Sequence, residues 1–212
     1  LITSPIMLSN FVAYLEASMH AGASGQNLNE LVKFSNKIIN ESKALGKDEV
    51  LTSTEAKEKI RLNIHGKDTL ILADEYKLSL RDSPSIEELS KLLQLEEGWR
   101  LAVVHDDLMV SALIERSLLR HTRVALEAET KKVKRGALWT EEDLPTHTVL
   151  FTVFFYSDPR TTANTCQKLN QSTAAGVKEL FEKTLIPNVF SYMILGGHET
   201  VGRGIVKLKK VV

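Results

Sequence analysis

Leu8, Val12, Leu15 and Met19 recur at i, i+4, i+7 and i+11, one face of a helix. Ser4-Pro5 supplies an N-cap with proline at the first helical position, and Gly22 and Gly25 end the run. A second helical pattern covers about 27–45, with Leu28, Leu31, Val32, Ile38, Ile39 and Leu45 on one side. The period then drops to two. Residues 60–64 alternate, and 68–80 hold an apolar run followed by Tyr76, Leu78 and Leu80, so strands are predicted there. Ser83-Pro84-Ser85 opens a short helix bearing Ile86, Leu89, Leu92 and Leu93. Residues 101–104 form a short buried-strand candidate, and Asp106 or Asp107 is placed to cap a helix reaching about Ser117.

Further on, 118–127 reads as a strand, 128–135 as polar and basic, and 136–140 as a returning strand, which together make a β-hairpin with a basic tip. Residues 148–156 carry the strongest strand pattern of the chain. A helix is predicted over 168–185, with Leu169, Val177, Leu180 and Phe181 apolar. A strand over 189–195, a glycine-rich loop and a last strand over 204–212 follow. Helices and strands alternate without a regular βαβ period, so the expected class is α+β. At 212 residues a single domain is expected, and neither an internal repeat nor a low-complexity linker interrupts it.

Composition narrows this little. The hydrophobic fraction of 43% and charged fraction of 25% are ordinary for a globular protein. No apolar run approaches the ~20 residues of a membrane helix. The single cysteine, Cys166, excludes an internal disulfide framework and a cysteine-based zinc site, and suits a reducing, cytoplasmic setting.

Net charge is zero, so a nucleic-acid partner is not announced by bulk charge; its distribution says more. From residue 116 to 135 seven Lys and Arg stand against two acids, and from 198 to 212 four stand against one. Seven acids stand against two bases over 82–107. Positive charge is therefore gathered in the C-terminal half, where each basic run is read either as a solvated face or as a stripe facing phosphates.

The most informative stretch is Gly196-Gly197-His198-Glu199-Thr200-Val201-Gly202-Arg203-Gly204, which holds four of the eleven glycines. Such a cluster permits close approach to another backbone, and exposed N–H groups beside Arg203 suit phosphate oxygens. A tight hairpin bend is the alternative. Familiar motifs do not fit. Gly197 and Gly202 have P-loop spacing, but Arg203-Gly204 follows instead of Lys-Ser/Thr. A dinucleotide fingerprint needs glycine at Lys207, and a zinc-protease motif needs histidine at Gly202. His105-Asp106-Asp107 has the pair of an HD-type metal site without its partner histidines, and Asp106 is better read as a cap. Glu141-Glu142-Asp143 are adjacent acids that cannot all point one way.

The stretch from Ile194 to Gly204 resembles the C-terminal glycine-rich motif of the RAMP proteins, the RNA-binding subunits of CRISPR effectors. Its Glu-Thr-Val-Gly-Arg-Gly version is similar to that of the backbone subunit in the type III-B (Cmr) complex. Arg123-Val124-Ala125-Leu126, then the run from Glu129 to Glu142 and Leu144-Pro145, resembles a second signature of that family. Leu1-Ile2-Thr3-Ser4-Pro5 is similar to the segment after the family's Arg-Ser helix start. The three stand in the family's order.

The resemblance implies a ferredoxin-like, RRM-related RAMP core with insertions and a β-hairpin thumb, here about 121–142, within one partial domain over 1–212 whose N-terminal segment is absent. It implies copies stacked along a CRISPR guide RNA, other Cmr subunits as partners, and a complementary target RNA cut at regular intervals with a divalent metal, magnesium first. No catalytic residue carries over, because nothing here matches the family's N-terminal acidic loop. The residues expected at RNA are Gly196, Gly197, Thr200, Gly202, Arg203 and Gly204 in the loop, and Arg123, Lys131, Lys132, Lys134, Arg135 and Trp139 in the thumb. Trp139 is open between a stacking surface for a splayed base and a core position at the hairpin base. Two other functions stay open: a scaffold that measures RNA without cutting, and an unrelated protein whose glycine loop holds a small phosphate ligand.

Overall fold

The computed structural model describes residues 1–160, 173–188 and 192–211. These fall into two compact units. The first comprises Leu1–Met19 and Ser24–Thr152, the second His20–Ala23 and Val153–Val212. Cys166 and the first residues of the helix expected over 168–185 lie outside the described residues, as do 189–191 of the strand expected over 189–195.

The first unit is built on a six-stranded mixed sheet in the order β1-β6-β2-β5-β4-β3. Its strands are β1 (Ile2–Thr3), β2 (Glu49–Thr52), β3 (Leu62–Ile64), β4 (Lys67–Leu72), β5 (Tyr76–Asp82) and β6 (Ala102–Val104). β1 runs parallel to β6 and β2 parallel to β5; the β2–β6, β3–β4 and β4–β5 pairings are antiparallel. β2 and β6 are buried on both faces, whereas β5 alternates, with Leu78 and Leu80 buried and Lys77 and Arg81 exposed. Val50, Leu78, Leu80, Ala102 and Val104 join Leu108 and Leu113 in one cluster. Leu51 and Val103, at the alternate strand positions, are equally buried.

Helices supply the rest of this core. α1 (Pro5–His20) buries Leu8, Val12 and Leu15, and α2 (Gln26–Ser42) buries Leu28, Leu31 and Ile38, as their helical spacing predicts. α3 (Thr54–Ile60) starts at Ser53, whose hydroxyl accepts a hydrogen bond from the Ala56 N–H. α4 (Pro84–Leu92) buries Ile86 and Leu89. Its entrance is tied to α2: Ser83 Oγ and Ser85 Oγ both donate to the Glu41 carboxylate, at 2.5 and 3.0 Å. α5 (Asp106–Leu108) continues through a π-helical turn, Met109–Leu113, into α6 (Ile114–Ser117).

Three expectations change here. Residues 49–52 form a central strand that no local pattern announced, and 54–60 are helical up to the residue where alternation was expected to begin. The cap of α5 is His105, whose Nδ1 accepts from the Asp107 N–H at 3.1 Å. Asp106 caps a different helix: its Oδ1 accepts from the Ile6 N–H in the first turn of α1 at 2.8 Å, across 100 residues.

A second, two-stranded sheet in this unit pairs β7 (Leu119–Leu126) with β8 (Val133–Asp143). Beyond it, residues 148–160 adopt no regular secondary structure, which corrects the strand expected over 148–156. Phe151 instead packs edge-on against Phe11 and Tyr14, with ring centroids 5.1 and 5.5 Å apart.

The second unit holds α7 (Ala174–Leu180), a π-helical turn at Phe181–Leu185, α8 (Ile186–Asn188), and β9 (Tyr192–Ile194) paired antiparallel with β10 (Ile205–Lys207). The hydroxyl of Thr173 and the carboxylate of Asp158 cap α7, accepting from the Gly176 and Ala174 N–H groups. Phe181 meets Phe154 and Tyr156, at 5.0 and 5.8 Å between centroids. No described residue of this unit is buried. Among the described residues, no helix is long and apolar enough to cross a membrane.

Candidate nucleic-acid interface

The β7–β8 ladder puts the candidate residues of the hairpin into register. Arg123 lies directly opposite Trp139, His121 opposite Glu141 and Arg120 opposite Glu142. Because side chains alternate between faces, Arg123, Trp139, His121 and Glu141 share one face, and Arg120, Thr122, Val124, Leu138 and Thr140 the other. Glu141 joins the first set together. One carboxylate oxygen accepts from Arg123 Nε at 3.0 Å, and the other accepts from the Trp139 indole N–H at 2.8 Å. His121 Nε2 lies 3.7 Å from Asp143 Oδ2 one step nearer the hairpin base. Trp139 is 46% exposed, so it is a surface residue of the ribbon and not a core residue at its base.

The other face is apolar toward the tip, where Val124, Leu126, Val133 and Leu138 are all exposed. At the base Arg120 bridges Glu142 and Glu115, at 2.8 and 3.2 Å. Those carboxylates push the Arg120 pKa up, Glu142 first.

The tip is where positive charge stands uncompensated. The turn closes through Lys131 N–H to the Glu127 carbonyl at 3.0 Å and Glu127 N–H to the Lys132 carbonyl at 2.9 Å, with Lys131 in a left-handed conformation (φ 56°). Between the pairs Val124↔Leu138 and Leu126↔Val133 a single residue of β7, Ala125, faces residues 134–137 of β8. This bulge holds Lys134 and Arg135, and Gly136 takes its positive φ of 76°. Lys131, Lys132, Lys134 and Arg135 are exposed and form no ion pair with a described carboxylate. The hairpin thus brings Arg123 and Trp139 face to face, while the four tip cations form a separate group.

The glycine-rich loop lies in the second unit, between β9 and β10. A short 3₁₀ turn, Glu199–Val201, is bracketed by His198 and Gly202 in left-handed conformations. The loop closes on itself: Gly202 N–H donates to the Glu199 carbonyl, Arg203 N–H to the His198 carbonyl, and Leu195 N–H to the Gly204 carbonyl. Thr200 sits within the turn and is exposed, and Arg203 is half-buried.

The glycines play different parts. At Gly204 a Cβ would stand 2.2 Å from the Leu195 carbonyl oxygen, so the hairpin itself demands glycine there. Gly196 and Gly202 need it for φ values of 90° and 77°. Gly197 needs it for neither reason, and the space around it is open. It is the glycine that the loop's own geometry leaves unexplained.

Sequence reasoning found the residues of the hairpin but not Glu141 as their hub. The signal was the spacing itself: on one strand of a hairpin, residues 139 and 141 point the same way. Among the described residues no group of three or more His, Cys, Asp or Glu converges as a metal site, at 105–107 or at 141–143. These residues do not fit a divalent-metal centre.

No family model matches the chain. Over 107 residues it is 31% identical to the CRISPR system CMR subunit Cmr4 of Saccharolobus solfataricus, an alignment covering 50% of this chain and 29% of that protein. Over 109 residues it is 33% identical to the CRISPR system Cmr endoribonuclease Cmr4 of Pyrococcus furiosus, covering 51% of this chain and 32% of that one. The aligned part is therefore about a third of each curated relative, and over it the chain is similar to the Cmr4 proteins. In fold it resembles a chain of the type III-B Cmr-beta complex bound to cognate target RNA, with a TM-score of 0.63 at 22% identity, over 99% of this chain and 60% of that one. The apo Cmr-beta structure gives a TM-score of 0.60 at 21% identity, over 100% and 61%.

Proposed function

We propose that this chain is an RNA-binding part of a backbone subunit in a type III-B CRISPR effector. In this reading it contacts the guide RNA and its target, alongside further copies of itself and other Cmr subunits in the cytoplasm. The mixed sheet and its helices are read as the RAMP-type, ferredoxin-like core, and the β7–β8 hairpin as its thumb. The observation that carries this is the hairpin: an exposed ribbon whose tip presents four cations without carboxylate partners, in a chain similar to Cmr4 proteins over half its length.

Chemistry follows from that geometry. Phosphate oxygens attract exposed Lys and Arg irrespective of sequence, and the flat faces of bases stack on an exposed indole. The tip cations then track a backbone while Trp139 and the apolar face of Val124 and Leu138 meet bases. In the second unit, the open space at Gly197 leaves the loop's backbone accessible to a phosphate.

Target cleavage with magnesium is part of the proposal for the intact protein. No step of it is assigned to residues of this chain, since no acidic set converges among the described ones. The alternative is a scaffold that binds and spaces RNA without cutting.

The test is a titration of the chain with a mixed-sequence single-stranded RNA over a range of salt, repeated with Lys131, Lys132, Lys134 and Arg135 changed to Ala together. Each phosphate contact on a single strand contributes about 0.7 to the slope of log affinity against log salt, so the variant's slope should flatten by up to about 3. An unchanged slope removes the tip from the interface. Regularly spaced cuts in a guide-paired target by this chain alone would overturn the scaffold reading.

A further inference from the structure

We propose that Glu141 is a positioning residue that aims Arg123 and Trp139 together at one nucleotide of the bound RNA, Arg123 at its phosphate and Trp139 at its base. This rests on the RNA-binding reading above.

Three features carry it. Arg123 and Trp139 are direct cross-strand partners, so their side chains lie side by side on one face. Glu141 touches both, with one oxygen on each, and its side chain is only 12% exposed, so the packed ribbon holds the carboxylate in place. The contact to Arg123 is through Nε alone. Its two terminal Nη groups meet no described acceptor, and the side chain is 38% exposed.

A guanidinium anchored at Nε presents its Nη edge as a preset two-pronged donor, the geometry that suits a phosphate. An indole anchored at its N–H keeps its ring plane fixed while its face stays available for stacking. One carboxylate thus sets the orientation of a charged contact and a stacking contact before RNA arrives, and the ordering of both side chains is already achieved when it does. An alternative role for the same pair is masking, in which Glu141 neutralises Arg123 and hinders binding. The two predict opposite signs.

The experiment measures affinity for a mixed-sequence single-stranded RNA with the full chain, as wild type, R123A, E141A, E141Q and the R123A/E141A pair, each checked for folding by circular dichroism. Positioning predicts that E141A loses about tenfold, as a lost charge-assisted contact does. The double variant should then be little worse than R123A alone. E141Q, which keeps one acceptor oxygen but turns an amide donor toward the other partner, should recover only part of the loss. Tryptophan emission should also differ between E141A and wild type without RNA, Trp99 being common to both.

Unchanged affinity in E141A, or additive losses in the pair, overturns the proposal; tighter binding by E141A overturns it in favour of masking. If E141A does not fold, R123K carries the test, because lysine keeps the charge but has no Nε to anchor and no planar fork. R123K must bind as weakly as R123A, and wild-type affinity would sink the idea. A wild-type chain that binds no RNA at all is a different result, because it removes the function reading itself.

Discussion

Gly204 and Leu195 face each other so closely that a Cβ on Gly204 would stand 2.2 Å from the Leu195 carbonyl oxygen, while the Leu195 N–H donates to the Gly204 carbonyl at 2.9 Å. The contact is backbone to backbone, so no side chain can move aside to relieve it. Gly204→Ala adds that clash to the strain of a φ of 74°, a conformation that alone costs about 1–3 kcal/mol away from glycine. Amide exchange at Leu195, whose N–H closes this pair, should accelerate sharply in this variant. Gly197→Ala provides the contrast. Its backbone is not left-handed and its surroundings are open, so exchange should be unchanged, and only RNA affinity should fall.

Asp106→Ala should destabilise α1, a helix it does not belong to. The Ile6 N–H would lose its acceptor in the first turn, a loss of about 1 kcal/mol for a typical capping side chain. Denaturant unfolding would measure it. An equal loss in His105→Ala would mean that the effect runs through the cap of α5 instead.

Glu41 serves two buried hydroxyls, Ser83 Oγ and Ser85 Oγ, at the entrance of α4. Glu41→Ala strands both donors in the core, and a buried donor without an acceptor costs about 1–3 kcal/mol. Replacing Ser83 by Ala in the same chain removes one of the stranded groups. The double variant should therefore be less damaged than the sum of the two single ones, and strict additivity would show that the network is not energetically coupled.

Much of this was legible from residues alone. Leu8, Val12 and Leu15 announced the buried face of α1, Ser83-Pro84 the start of α4, and the basic run between two strand patterns the hairpin. The failures share a cause. β2 is a strand because β5 and β6 flank it, which no pattern within residues 49–52 can state. Residues 148–156 have the pattern of a strand, but pattern does not supply a partner to pair with, and the described chain pairs them with none. α3 buries only Ala56, too little for an amphipathic signal. In the hairpin, Arg123 and Trp139 were legible as singles; that Glu141 holds both depends on the register of β7 against β8, which the bulge at 134–137 conceals from counting.

Acid should weaken the junction between α2 and β2 in a way that one carboxylate reports. Glu49 accepts from the Gly46 N–H at 2.9 Å and from Arg81 at 3.2 Å. The backbone hydrogen bond from Gly46 is the largest cause holding the Glu49 carboxyl below the usual range; desolvation opposes it, and Arg81 adds to the lowering. A carboxyl whose folded pKa is depressed contributes stability that is complete above its unfolded pKa and disappears as pH falls through the lower, folded value. The group is largely solvated, so the contribution is small and screened by salt. Glu49→Gln should therefore be slightly less stable than wild type at neutral pH, and the gap should close as pH drops below the ordinary glutamate range. Urea midpoints of the two proteins, compared from neutral pH into that acid range, check this. A gap that persists in acid would mean that Glu49 matters through its packing against Gly46 and not through its charge.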